Sequence, residues 1–136
     1  MLSAAVVCGA LALSGCVGTT YDSSIPSEPT LAATTTLPSG PASDLLPRLV
    51  TTAGSLSAAI TGQGDKTAIT DDAQNLWNAA QQQVAAQRPE LLGGFEANVA
   101  KLADAARFNR AADADKAFKN LQALTASFLA TTTSAG

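Results

Sequence analysis

Four stretches of this chain place apolar residues at steps of three and four, and that spacing leaves little choice of secondary structure. The first runs Leu46, Leu49, Ala53, Leu56 and Ile60, widened by Leu45 and Val50. The second runs Ile69, Ala73, Leu76, Ala80 and Val84, with Trp77 beside Leu76. The third is Leu92, Phe95, Val99, Leu102 and Ala106, and the fourth Ala114, Phe118, Leu121, Leu124 and Phe128. An α-helix returns to one side every 3.6 residues, so each run makes a single apolar stripe. No stretch shows the alternating β-branched pattern and tight turns of a hairpin.

The breaks between stripes have their own chemistry. Gly62-Gln63-Gly64 ends the first helix. The second must stop near Arg88, because the residue before Pro89 is pushed out of the α region. Pro89 suits the first turn of the third helix, and Glu90 suits its positive end. Asp113 or Asp115 is placed to cap the fourth, with Lys116 and Lys119 on its outer face. The expected fold class is all-α: an up-down four-helix bundle over residues 44–130, with 131–136 a frayed tail. Helices of ~18 residues would be ~27 Å long. Of the chain, 46% is hydrophobic but only 4% aromatic, so the core is modest and padded with alanine. Such a core predicts marginal stability.

Upstream of the bundle the chain reads differently. Residues 1–13 are almost unbroken in apolar and small side chains, the length of a signal-peptide core and short of the ~20 residues a membrane span needs. No Lys or Arg precedes this run, where signal peptides ordinarily carry positive charge. It leads into Leu13-Ser14-Gly15-Cys16. That quartet resembles the lipobox of bacterial lipoproteins, and the alanine-rich, lysine-poor composition resembles that of actinobacterial-type lipoproteins. The resemblance implies a diacylglyceryl group on the Cys16 thiol, then cleavage between Gly15 and Cys16, discarding residues 1–15. Cys8 would leave with the signal peptide, so the mature chain would hold neither a free thiol nor a disulfide. Residues 16–43 then form the lipid-bearing Cys and a disordered tether. Positions 17–43 hold four of the six prolines (Pro26, Pro29, Pro38, Pro41) and eleven Ser/Thr, with no apolar period to offset ordering entropy. Such a linker spans roughly 30 Å.

Residue supply excludes much chemistry. The chain has no His, which removes His-based triads, His-ligated zinc and axial-His haem. Its only Met is Met1, and its only glutamates are Glu28, Glu90 and Glu96, too few for a di-iron bundle. Gly62-Gln63-Gly64 lacks the following Lys of a phosphate loop. Asp71-Asp72 and Asp113/Asp115 lack cation-loop spacing and read as first-turn acids facing a helix dipole. Trp77 reads as a core residue. Gly93-Gly94 marks a close crossing, a kink or a break, while Gln81-Gln82-Gln83 reads as a plain polar face. A net charge of −3 argues against nucleic acid.

The expectation for function is a non-catalytic, monomeric lipoprotein with no cofactor and no metal. It would sit on the extracytoplasmic face of the cell membrane through the lipid on Cys16. There it would bind an envelope protein or other envelope component, or serve a structural role. The alternative is a carrier or sensor of a small apolar ligand held in a groove between helices.

Overall fold

A computed structural model of the protein describes residues 37–62 and 64–132, apart from the side chains of residues 131 and 132. The signal peptide expected at 1–15, the lipidation position Cys16, most of the tether and residues 133–136 lie outside the described residues. Four helices make up the rest: α1 (Ala42–Gly62), α2 (Lys66–Gln87), α3 (Pro89–Arg107) and α4 (Ala111–Thr132). No strand occurs among the described residues.

Each helix end has a local cause. α1 begins two residues before Asp44, because the Pro41 carbonyl accepts the N–H groups of Asp44 (3.0 Å) and Leu45 (3.1 Å). Those donors would otherwise be orphaned at a helix start. Pro47 lies inside α1 but only in its second turn, where the missing N–H costs one intrahelical bond. α1 closes on Gly64, whose N–H bonds the Ala59 carbonyl at 2.9 Å. A Cβ on Gly64 would sit 2.9 Å from the Ala59 Cβ and 3.0 Å from its Cα, so only glycine fits.

Asp65 caps α2, its carboxylate accepting the Ala68 N–H at 2.8 Å. That start corrects one expectation. Asp71 and Asp72 lie in the second turn, not the first, because α2 begins at Lys66. At its other end Arg88 leaves the helix with φ −144°, ψ 66°, as a residue preceding proline should, and Pro89 opens α3.

α3 runs unbroken through Gly93-Gly94. Of the three readings left open there, the close crossing holds, and it holds for Gly94. A Cβ on Gly94 would lie 3.0 Å from Leu124 Cδ2, whereas one on Gly93 would meet open space. α3 ends in a left-handed turn at Asn109 (φ 53°), with the Arg110 N–H reaching back to the Ala105 carbonyl at 2.8 Å. This tight turn starts α4 at Ala111, earlier than the capping acids require. Arg110 therefore takes the cap position, its carbonyl accepting from Asp113 (3.0 Å) and Ala114 (3.1 Å). Neither Asp113 nor Asp115 caps α4. Asp113 instead sits in its first turn.

α1 packs on α2 and α4, and α3 packs on the same two, while α1 and α3 touch only thinly across the diagonal. Side chains tie the ends in matching pairs. Lys66 at the start of α2 donates to Asn109 Oδ1 in the α3–α4 turn. Arg88 in the α2–α3 turn donates to the Ser127 carbonyl late in α4 at 2.9 Å. Consecutive helices are thus antiparallel, the expected up-down bundle.

The core is the four stripes turned inward. Leu46, Leu49, Leu56, Leu76, Leu102 and Leu121 are fully buried with Phe95, Phe128 and Val84. Trp77 is 3% exposed and stacks on Phe95, with ring centroids 5.3 Å apart and planes at 17°. Ile60, Ile69, Leu92, Phe118 and Leu124 are only partly buried against this core. Gly54 in α1 was not singled out by periodicity, yet a Cβ there would come within 3.2 Å of the Phe118 ring.

Candidate functional site

Among the described residues, clefts lie between neighbouring helices, and three stand out. The first, about 350 Å³, opens between the C-terminal half of α3 and the start of α4. α3 supplies Lys101 and Asp104, the turn supplies Arg110, and α4 supplies Asp113, Lys116 and Asn120. A second, about 280 Å³, continues between α3 and α4 past Asn120 to Gly94, Asn98 and Ser127. The third, about 330 Å³, lies between α2 and α3, walled by glutamines, Asn78 and Glu96 with Leu92 at its edge. None of the three reaches Trp77, Phe95 or the central leucines.

Charge in the α3–α4 cleft is mixed and only partly paired. Asp113 stands between Arg110 and Lys116, 3.8 Å from each. Lys101 and Asp104 form no ion pair among the described residues. Arg110 also lies over the ring of Phe108, 5.2 Å from its centroid, with Arg107 at 5.1 Å. Phe108 is 52% exposed at the tip of the bundle. That tip lies at the end opposite Gly40 and Ala42, where the upstream chain enters.

Deeper in the α3–α4 seam a short amide ladder holds the two helices together. Asn120 Nδ2 donates to Asn98 Oδ1 at 3.0 Å, and Asn98 Nδ2 donates to the Gly94 carbonyl at 2.7 Å. Asn98 is buried while Asn120 stays exposed, so the ladder leads from the interior to the cleft wall. Both are polar and so stand outside the apolar runs, although Asn98 lies three residues after Phe95 and four before Leu102, and nothing in the spacing marks the two as partners.

The residues singled out by sequence fall as follows. Gly15 and Cys16 lie outside the described residues. Asp72 accepts a hydrogen bond from the Thr52 hydroxyl at 2.9 Å, joining α2 to α1. Among the described residues no three His, Cys, Asp or Glu side chains group closely enough to hold a metal ion. Gln81 and Gln82 belong to the polar face, but Gln83 departs from that reading. Its Oε1 accepts the Ala42 N–H at 2.8 Å, and its Nε2 donates to the Gly40 carbonyl at 3.0 Å. One side chain from α2 therefore fastens the chain where it enters α1. No helix among the described residues is long and apolar enough to cross a membrane.

Compared with known proteins, the chain matches no family model, no curated protein and no solved structure.

Proposed function

We propose that this protein is a lipid-anchored, non-catalytic binding domain on the extracytoplasmic face of a cell membrane. The observation that carries the reading is Leu13-Ser14-Gly15-Cys16, which closes an apolar run and opens a Ser/Thr/Pro-rich stretch. That stretch leads to the cap of α1 at Pro41. The Gln83 clamp on Gly40 and Ala42 supports it, since an anchored domain needs a fixed point where its tether enters. The bundle adds a second line of support. Among the described residues its interior is hydrocarbon apart from Asn98 and Thr125, and its charged groups lie outside, so recognition belongs on the surface. The protein acts as a monomer that presents this surface to another envelope component.

Intact-mass spectrometry of the membrane fraction tests the anchor. Wild-type protein should begin at an acylated Cys16, and Cys16→Ser should leave an uncleaved, unacylated precursor. A wild-type chain without acylation at Cys16 refutes the reading.

A further inference from the structure

The two clefts between α3 and α4 meet at Asn120, which lines both. Together they follow the seam from Gly94 to the turn at Arg110, roughly 20 Å at 1.5 Å per residue along α3. One end is cationic, with Lys101, Arg110 and Lys116 against Asp104 and Asp113. The other is neutral and amide-rich, with Asn98 and Asn120. We propose that this seam is a binding groove for a carboxylate-bearing polysaccharide, a chain of uronic-acid type.

The lining matches that chemistry group by group. Three cations and two carboxylates leave an excess of one positive charge in the cleft. That excess suits singly charged carboxylates better than dianionic phosphates. Asp113 already spans Arg110 and Lys116, while Lys101 remains open to a ligand carboxylate. Asp104 forms no ion pair among the described residues, and its exposed oxygens are open to donors from a ligand. Sugar hydroxyls supply such donors at every ring, whereas an acidic peptide offers only its backbone N–H. Asn120 spends its Nδ2 on Asn98, which leaves its Oδ1 as a further acceptor on the groove wall. Stacking on Phe108 keeps the Arg110 guanidinium at the mouth. A groove of this length, open to solvent, takes a linear chain rather than a compact ligand.

The groove rests on the bundle alone, and only the place where the polymer is met rests on the anchored reading. Binding in solution and acylation of Cys16 are therefore separate measurements, and one can fail without the other. Titration calorimetry on the full 136-residue chain in detergent, with tetragalacturonate, maltotetraose and hexaglutamate as probes, tests the proposal. Tetragalacturonate should bind, with affinity falling as salt rises. Maltotetraose and hexaglutamate should bind at least tenfold more weakly. The double variant Lys101→Ala/Lys116→Ala should lose at least tenfold in affinity for tetragalacturonate. Lys119→Ala removes the same kind of charge outside the cleft and should change it less than twofold. All three lysines are exposed, and circular dichroism of the variants should match wild type. No binding of tetragalacturonate, equal binding of hexaglutamate, or equal losses in the Lys101/Lys116 and Lys119 variants would each overturn the proposal.

Discussion

Single side chains in this bundle show where its polar accounting is complete and where it is not. The Thr125 hydroxyl is buried without a hydrogen-bond partner among the described residues, in a residue only 6% exposed. Burying an unsatisfied hydroxyl costs about 1–3 kcal/mol. Thr125→Val keeps the shape and the β-branching, so it should raise stability by about 1 kcal/mol. A lowered denaturation midpoint would mean that the hydroxyl does find a partner. Glu90 is the opposite case. The Arg88 guanidinium hydrogen-bonds its carboxylate, helped by the Glu90 backbone N–H, and holds its pKa below the ordinary 4.5. A carboxyl depressed in the folded state favours folding above its unfolded pKa, and that contribution disappears as pH falls through the folded value. The effect on stability is small, because Glu90 faces water. A carbon-detected NMR titration should place the Glu90 midpoint below 4.5, and Arg88→Gln should move it back up.

Among the elements, α3 is the informative one, since its two adjacent glycines face different surroundings. Alanine is favoured over glycine in a helix by about 1 kcal/mol. At Gly93 nothing stands in the way of a new methyl, so Gly93→Ala should stabilise by about that amount. At Gly94 the methyl would press on both δ-methyls of Leu124, at 3.0 and 3.3 Å, and Leu124 is packed against the core. Gly94→Ala should therefore fall short of Gly93→Ala by about 1 kcal/mol or more in urea denaturation. Equal gains would show that α4 yields freely there, and that the α3–α4 approach does not depend on the missing side chain. The same contrast explains why periodicity left a close crossing as only one of three readings at this pair. Both glycines interrupt the stripe alike, and only Leu124, thirty positions further along the chain from Gly94, tells them apart.

For the whole molecule, the question is whether one cooperative core holds four helices. Leu102 is 1% exposed in the C-terminal half of α3, and Gln82 is exposed on α2. Leu102→Asp places a carboxylate in hydrocarbon with no cation beside it, at a cost of several kcal/mol. Against a total stability of about 5–15 kcal/mol, that should unfold the bundle or nearly so. Gln82→Asp should shift stability by less than about 0.5 kcal/mol. Far-UV circular dichroism and urea midpoints on both variants decide it. Equal midpoints would contradict the core described above.

Sequence alone determined the class of fold, the helix count, the stops at Gly62-Gln63-Gly64 and Arg88-Pro89, and most of the buried stripe. These features are local: a period of 3.6, a proline that forbids the α region and a glycine that ends a helix all act within a few residues. Tertiary structure alone decided the rest. Gln83 became the clamp on Ala42, Asn98 and Asn120 became a ladder, and Lys101, Arg110 and Lys116 came to share one cleft. The partners in these contacts stand up to 41 residues apart along the chain, and no polar side chain among them carries a local signal that names its partner. Periodicity records which side of a helix is apolar. Which polar residues meet depends on how far each helix slides and rotates against its neighbour, and that is set by contacts such as Gly94 on Leu124 and Gly54 on Phe118.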